Sequence, residues 1–345
     1  GVDRVYIESV FNSCTGVKEI VYTPGFTGIE PEENTSNTPN TGESYMNVTL
    51  AHSVRSSLEK VTYQEGITRV ASRAFYGDSS AHTNFAKLTT VNLPSTLLEI
   101  GDSAFSGCPA LSNITLPSGL RSVGEHAFKG CSSITKSWTE FGFPAGLTNI
   151  EKEAFYQCTG LTGTLNVPDE AVLGSQAFGY CSGITKIVIG VDRVYIESVF
   201  SECTGVKEIE YTPGYNGTEP EKSTSSGVAG ESYLNATPSY SVRSSLEKVT
   251  FDEGVIRVGR YSLYAGTVGS FSKLKAVILP ESLREIGDNA FYGLTGCTIY
   301  SYKDSVGETY ALENSISFIP LKYPLIEGAP EEVRNGSETD RKSVV

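Results

Sequence analysis

The sequence is short of charge, methionine, tryptophan and histidine, and these shortages limit its possible partners. Only 19% of the 345 residues are charged, with one Met, one Trp and three His. Acidic residues outnumber basic residues by 40 to 27, which gives a net charge of −13. Nucleic-acid grooves need clustered Lys and Arg to displace counterions from phosphates, and anionic membrane surfaces attract basic segments. The composition therefore disfavours nucleic acid and an anionic membrane surface as partners.

Long apolar runs are also missing. No stretch approaches the roughly 20 apolar residues that span a bilayer, so we expect no membrane insertion in this part of the protein. No signal peptide is recognisable. The first residues, GVDRVYIESVF, recur at 190–200 as the middle of a repeat, and we therefore expect the sequence to be a fragment of a longer protein.

Self-similarity is what the sequence has in abundance. Three segments of the first half return in the second half, namely 1–25 as 190–214, 53–63 as 241–251 and 93–105 as 279–291. The copies indicate a duplicated block of about 189 residues. Inside each block a shorter unit recurs every 22 to 27 residues, and six of the seven cysteines lie three residues after a phenylalanine. Such periods are typical of stacked repeat architectures.

Each short unit has three parts. The first is a strand of the form L-x-x-I-x-L, as at Leu111, Ile114 and Leu116, whose spacing suits one buried face. A proline ends it, because proline lacks a ladder donor, and a second apolar pair such as Leu97 and Ile100 follows. The A-F-x-x-C segment comes last and is too short for a free helix, so we expect one helical or 3₁₀ turn.

A unit of about 23 residues cannot bury its own apolar face, so neighbouring units must stack into a solenoid with one long parallel sheet. We expect residues 1–321 to form it, with blocks 1–189 and 190–321, and 322–345 to form a polar tail or linker. Strands are predicted to begin near Val17, Leu58, Leu88, Leu111, Ile134, Leu161, Ile184, Val206, Leu246 and Leu274, with an eleventh near Cys297.

The pattern L-P-x-x-L-x-x-I-G-x-x-A-F-x-G-C-x-x-L-x-x-I-x-L resembles the BspA-like class of leucine-rich repeats over roughly residues 1–320. Residues 297–321 also resemble the segment that often ends such arrays. The resemblance implies an α/β repeat fold, a β-rich, right-handed leucine-rich-repeat solenoid with one long parallel sheet and short helical or 3₁₀ turns on the other side. It further implies an extracellular or cell-surface location, adhesion or partner binding, and no catalysis.

The periodic cysteines admit four interpretations. Disulfides would need sulfur atoms that face each other, whereas equivalent positions in adjacent coils point the same way. Zinc sites cluster their ligands at short spacing, which cysteines about 23 residues apart do not provide. The letters GYCSG at 179–183 match a nucleophile elbow, but here they are one copy of a repeat. We favour a buried thiol in the core and predict no metal or cofactor. Cys297 leaves the register and is expected to be more exposed.

Candidate contact residues lie in two insertions and on the outward face of the strands. The insertions span 23–52 and 212–240 and carry the aromatic candidates Phe26, Tyr45, Tyr215, Tyr233 and Tyr240, which can alternatively fold back over the core. The strand positions between the last two apolar residues form a second set, namely Val21, Thr62, Asn92, Thr115, Val188, Glu210, Thr250 and Ile278. This set also suits an ordinary solvated strand face. Trp138, in an irregular coil, is either an exposed anchor or a residue that packs a distorted coil.

The combined interpretation is a non-catalytic adhesion or recognition scaffold at the cell surface, which binds an unidentified extracellular protein or glycan. The alternative is a structural stalk that holds another domain of a larger surface protein. We expect a monomer, although the unfinished coil at Gly1 can make end-to-end contacts.

Overall fold

The computed structural model describes residues 13–25, 52–77, 85–190, 196–215, 217, 238–265 and 271–322. The chain forms two compact units. The first comprises Gly1–Thr164 and Glu170–Ile184, and the second comprises Leu165–Asp169 and Thr185–Val345. Both are stacks of short parallel strands joined by tight turns, which confirms the predicted α/β leucine-rich-repeat class. A single solenoid over 1–321 stays a prediction, and only Lys322 of the predicted tail lies in the described residues.

Two parallel sheets run through the first unit. Its strands are β1 (Glu19–Tyr22), β2 (Lys60–Tyr63), β3 (Arg69–Val70), β4 (Thr90–Asn92), β5 (Glu99–Ile100), β6 (Ser122–Val123), β7 (Asn149–Ile150), β8 (Gly163–Asn166) and β9 (Val172–Leu173). The last two residues of β8 belong to the second unit. One sheet has the order β1-β2-β4, and the other has the order β3-β5-β6-β7-β9. A coil can therefore contribute both to a row of longer strands and to a row of two-residue strands, as β4 and β5 do.

The row of two-residue strands is a finding that the repeat pattern did not predict. It is formed by the second apolar pair of each unit, for which we expected no strand. In β5 the side chain of Ile100 is fully buried, and β5 pairs with β6 through Ile100 and Val123. The predicted strands near Leu111 and Ile134 are reduced to isolated bridges, Thr90 to Asn113 and Ser137 to Thr162. In these coils the second row therefore continues the strand pairing where the first row is reduced to bridges.

The second unit repeats the arrangement with a wider sheet. Its strands are β10 (Ile184–Ile189), which starts at the unit boundary, β11 (Glu208–Tyr211), β12 (Lys248–Phe251), β13 (Arg257–Val258), β14 (Ala276–Ile278), β15 (Glu285–Ile286), β16 (Thr298–Tyr302) and β17 (Ser317–Leu321). The wider sheet has the order β17-β16-β14-β12-β11-β10, and the end of β8 extends it beyond β10. Strands β13 and β15 form the second row. All the register pairs are parallel.

Helices are short and serve as connections. They are α1 (His52–Arg55), α2 (Trp138–Phe141), α3 (Ile196–Val199), α4 (Tyr240–Ser245) and α5 (Val306–Glu313). Helix α5 starts at Ser305, whose hydroxyl accepts a hydrogen bond from the Glu308 N–H, so one free N–H of the first turn is satisfied. It leads into β17, which lies parallel to β16. The predicted eleventh strand is therefore followed by a further helix and strand.

The A-F-x-x-C segments form consecutive tight turns rather than a helical turn. In the coil around Phe105, Ser103 and Gly107 have φ of 53° and 74°, and left-handed residues interrupt a right-handed helix. The turns are instead tied to the next coil. The Phe105 N–H donates to the Ala127 carbonyl at 2.8 Å, and the Gly107 N–H donates to the Lys129 carbonyl at 2.9 Å. The turns thus form a further backbone ladder, which we call the turn face.

Phenylalanine rings fill the core behind the turn face. In the first unit the rings of successive coils stack nearly in parallel, with centroid distances of 5.6 Å (Phe75 to Phe105), 5.3 Å (Phe105 to Phe128), 5.2 Å (Phe128 to Phe155) and 5.7 Å (Phe155 to Phe178). These five rings are fully buried. Aromatic pairs at such distances contribute about 0.5–1.5 kcal/mol each beyond area burial. The ring column therefore holds the spacing of the coils.

Candidate binding surfaces

The cysteine column lies beside the phenylalanine column and makes directed contacts. In the first unit, four of the five thiols, all except Cys14, donate to the carbonyl of the phenylalanine one coil earlier. The Sγ to O distances are 3.3 Å (Cys108 to Phe75), 3.2 Å (Cys131 to Phe105), 3.1 Å (Cys158 to Phe128) and 3.1 Å (Cys181 to Phe155). Three of these phenylalanine carbonyls also accept the N–H of the cysteine in their own coil, as in Cys108 to Phe105. The thiols therefore link adjacent coils.

Burial also makes these thiols poor nucleophiles. Six of the seven free cysteines are buried, and Cys14 is half-buried. Desolvation raises the pKa of the Cys131 thiol to about 12 and that of Cys297 to about 11, so both stay protonated at neutral pH. The expected exposure of Cys297 is wrong, because its exposed fraction is 4%. The interpretation of the periodic cysteines as core thiols is confirmed for five of the six, all except the half-buried Cys14.

The outward strand positions of the first unit form a polar row. Val21, Thr62 and Asn92 are successive partners in the parallel register. The Asn92 amide donates to the Thr62 hydroxyl at 3.2 Å, and Asn92 is exposed. Thr115 is also exposed and accepts a hydrogen bond from Lys136 Nζ at 3.2 Å. We call these four positions the first outer row; three of them present hydroxyl or amide groups to solvent, and Val21 is an exposed apolar side chain.

The second outer row, in the second unit, has a different chemistry. Its members are register partners, namely Val188, Glu210, Thr250, Ile278, Tyr300 and Ile319. Glu210 forms an ion pair with Lys186 at 2.6 Å. Thr250 and Ile278 have exposed fractions of only 7% and 6%, so Thr250 cannot supply the open contact surface that we expected. The outward direction of the Thr250 side chain was predicted from the alternation of residues along the strand, whereas its burial depends on neighbouring residues.

Two members of the second outer row were missed from the sequence. Tyr300 and Ile319 extend the row into the last two strands, and Ile319 is 43% exposed. The signal for Tyr300 was present, because it follows the inward residue Ile299 in a strand. Strand β17 has no L-x-x-I-x-L pattern, so Ile319 could be assigned to the row only from the register.

Of the predicted insertion contacts, the described residues include two. Phe26, Tyr45 and Tyr233 lie outside the described residues. The ring of Tyr215 packs 4.6 Å from that of Tyr211, and its hydroxyl lies 3.2 Å from the Ser262 hydroxyl, so it folds back over the core. Tyr240 begins α4 and is 66% exposed. Tyr240 is therefore the better placed of the two for contact with a partner.

Trp138 lies in the core of the first unit rather than on its surface. Its exposed fraction is 2%, and its ring lies 5.8 Å from Phe155 and 5.4 Å from Phe178. Helix α2 holds it there through a capping box between Ser137 and Glu140. The extra residues of this coil thus bring a large ring inward, which excludes Trp138 as an exposed anchor.

Within 13–25, 52–77, 85–190, 196–215, 217, 238–265 and 271–322, no three His, Cys, Asp or Glu side chains are grouped as metal ligands. No helix in this part of the chain has the length and apolar character needed to cross a membrane.

Comparison with known proteins supports a repeat family. Residues 135–221 and 237–318 match the family described as BspA type leucine rich repeat region, in six copies. No curated protein gives a significant match.

Several solved structures show distant similarity. The T. pallidum leucine-rich repeat protein is 23% identical, over 70% of this chain and 91% of that chain, with a TM-score of 0.39. The pneumococcal vaccine antigen PcpA is 14% identical, over 91% of each chain, at 0.38. A leucine-rich cell surface protein of Faecalibacterium prausnitzii is 17% identical, over 94% and 95%, at 0.36. Because TM-scores below 0.5 do not establish a shared fold, the fold assignment rests on the family match and on the coils themselves.

Proposed function

The chain is a BspA-type leucine-rich-repeat protein, and on that premise we propose that it is a non-catalytic recognition scaffold at the cell surface. Its partners would be extracellular proteins or glycans, bound through the outer rows, with the two insertions supplying additional contacts. Repeat scaffolds generally act through the surfaces that they display, because their inward positions are committed to packing.

The divergence between the two copies of the block is the observation that carries this proposal. The inward residues Ile20, Val61 and Val91 return as the same residue types, Ile209, Val249 and Val277. Of the outward residues beside them, Val21 returns as Glu210 and Asn92 as Ile278, while Thr62 returns as Thr250. Close packing constrains the inward residues. Glu210 places a partly exposed charge where Val21 is apolar, and the exposed Asn92 is replaced by the buried Ile278. The two copies thus display different surfaces on the same scaffold, which suits recognition.

A binding screen with paired surface variants tests the proposal. The intact chain would be screened against extracellular matrix proteins and glycans, and each hit measured again with Asn92→Arg and Ile319→Arg, which alter the outer rows. Matched controls are Leu98→Arg and Ile256→Arg, which are 47% and 57% exposed and lie outside the outer rows. We expect at least a tenfold loss of affinity, about 1.4 kcal/mol, for the outer-row variants and unchanged binding for the controls. Equal binding by all four variants would reject the outer rows as the contact surface.

The insertions are tested separately. A variant that lacks 26–50 and 218–237 should bind hits more weakly if these segments contribute contacts, with avidity lost at two similar points. Unchanged binding would remove the insertions from the proposal and leave the outer rows.

The stalk is the second candidate function. It is favoured by the near-identity of residues 1–25 and 190–214, since copying a block lengthens a spacer without a new site. It predicts no specific hit in the screen, and it predicts that removing one copy is neutral for any ligand of a neighbouring domain.

A further inference from the structure

A groove of about 510 Å³ crosses the turn face of the first unit, away from the outer rows. Its lining comes from turns of successive coils and includes Arg73, Tyr76, Ser103, Ser106, His126 and Lys129. Ligand sites in proteins commonly have volumes of about 300–1,000 Å³. We call it the turn-face groove; it is large enough for one or two sugar rings.

The turn-face groove is lined by cationic side chains in a protein of net charge −13. Arg73 lies with Cζ 5.4 Å from the ring centroid of Tyr76. Lys129 and His126 also line the groove, and both contact Glu153, with His126 Nε2 at 3.2 Å from the carboxylate. Glu153 is not among the lining residues. The lining thus contains the side chains of Arg73 and Lys129 and no carboxylate, and Glu153 offsets part of the Lys129 charge from outside the lining. This balance favours an anion.

Two serine hydroxyls open into the turn-face groove. Ser103 and Ser106 line it, and each residue is 7% exposed. Their backbone groups are used, since the Ser106 N–H donates to the Ser103 carbonyl and the Gly77 N–H donates to the Ser106 carbonyl. Neither hydroxyl oxygen is fully buried. Both can therefore exchange hydrogen bonds with a polar ligand that enters the groove.

The lining selects a saccharide over a peptide. Two hydroxyls, the Gln157 amide and the Tyr76 ring supply hydrogen bonds and a stacking surface for a hydroxylated ring. A peptide strand would need free backbone donors. Here the Gly107 and Gly130 N–H groups already donate to the Lys129 and Tyr156 carbonyls. We propose that the turn-face groove binds an anionic saccharide, one whose carboxylate or sulfate group contacts Arg73 and Lys129.

The second copy of the block has larger aromatic side chains at the corresponding positions. Tyr264 keeps the place of Tyr76, whereas Tyr261 stands where the first copy has Arg73, and Tyr292 where it has Ser106. The Tyr264 and Tyr292 rings stack at 5.4 Å, and Tyr261 lies 5.2 Å from Tyr264. The second copy thus supplies substitutions that the repeat tolerates at these positions.

The test uses substitutions taken from that copy. Titration calorimetry on the full chain would use a heparin hexasaccharide, 3′-sialyllactose and trigalacturonate as sulfated and carboxylated probes, lactose as a neutral probe, and an Asp-rich peptide. We expect at least one anionic saccharide to bind at least tenfold more tightly than lactose and the peptide. Ser106→Tyr and Ser103→Asn, the residues of the second copy, should each weaken that binding at least tenfold. Tyr292→Ser, in the second unit, should leave it unchanged.

The outcomes separate this proposal from the preceding one. Leu98→Arg, at a position in neither the outer rows nor the lining of the turn-face groove, should leave saccharide binding unchanged. The outer-row screen uses no residue of the groove, so its failure does not affect the turn-face groove. The two groove variants must keep the urea midpoint of the wild type, and Ser103→Asn guards against misfolding because Asn tolerates φ of 53°. Binding of lactose or the peptide as tight as that of every anionic saccharide overturns the proposal, as does undiminished binding by both groove variants.

Discussion

Gly107 and Gly130 allow a direct test of how closely the coils approach one another. They occupy the same position in adjacent A-F-x-G-C turns, and their φ angles are 74° and 77°. A Cβ atom at Gly107 would meet the carbonyl oxygen of Gly77 well inside 3.0 Å, closer than Cβ atoms in proteins come. A Cβ atom at Gly130 would have nothing within 4 Å. The two glycines thus differ in their contacts with the neighbouring coil rather than in backbone conformation.

The magnitudes follow from this difference. Left-handed backbone costs an alanine about 1 kcal/mol more than a glycine, and this cost is common to both variants. Gly107→Ala must in addition push apart two coils, and overpacking typically costs about 1–3 kcal/mol. We therefore expect losses of about 1 kcal/mol for Gly130→Ala and about 2–4 kcal/mol for Gly107→Ala. Gln157 takes the same position with φ of 60°, so a side chain at this angle is tolerated.

Trp138 supplies the assay, because the only tryptophan is buried in the same unit. Its fluorescence in urea should follow unfolding of the first unit. With an m-value of about 2 kcal/mol/M, the midpoint of Gly107→Ala should lie roughly 0.5 to 1.5 M below that of Gly130→Ala. Equal midpoints would refute the argument, since they would mean that the approach to Gly77 does not limit the coil spacing.

Three further predictions concern the thiols and one carboxylate. Cys131→Ala should lower the free energy of unfolding by about 1–2 kcal/mol, because it leaves a small cavity and loses the contact with the Phe105 carbonyl. Cys131→Ser keeps a hydrogen-bond donor and should lower it less in urea denaturation. The reverse order would contradict the hydrogen-bond argument. Ellman's reagent at pH 8 should modify Cys14 in the native protein and the six buried thiols only after unfolding, and rapid labelling of several thiols would argue against their burial. Burial acts to raise the pKa of the Glu153 carboxyl, but the hydrogen bond and charge of Lys129 outweigh it and lower the pKa below its usual 4.5. The ionised Glu153 carboxylate therefore contributes its full stabilisation of the folded state above about pH 4.5, and this contribution is lost as the pH falls through the lowered pKa. The urea midpoint of Glu153→Gln should accordingly fall less steeply with acid than that of the wild type. Parallel declines of the two midpoints would contradict the ion-pair account.

Local repetition explains why so much of the fold was predictable. The spacing of Leu, Ile and Phe within about 23 residues depends only on strand and turn geometry, so the strands near Leu58 and Leu88 and the burial of Phe105 followed from the sequence. The second row of strands did not, because a two-residue strand such as Glu99–Ile100 has no pattern of its own. It exists through hydrogen bonds to the coils before and after it.

The candidate contact residues were less predictable for the same reason. The face of a strand on which a side chain lies follows from the alternation of adjacent residues. Asn92 and Thr250 were therefore both assigned correctly to the outward face. Their exposure is set by neighbours in other coils, which leave Asn92 exposed and bury Thr250. For Trp138 even the direction of the side chain was not predictable, because the sequence of its coil is irregular. Its contacts with four aromatic rings place it in the core.

The sequence by itself determined the period of the coils, the inward columns and the burial of the thiols, because each depends on contacts repeated identically from one coil to the next. Only the tertiary structure decided which outward side chains meet solvent, which glycines leave no space for a Cβ atom, and that Arg73, Ser106 and Lys129 share one groove. These features depend on side chains about 23 to 33 residues apart in the sequence, whose sizes vary from coil to coil while the backbone spacing does not.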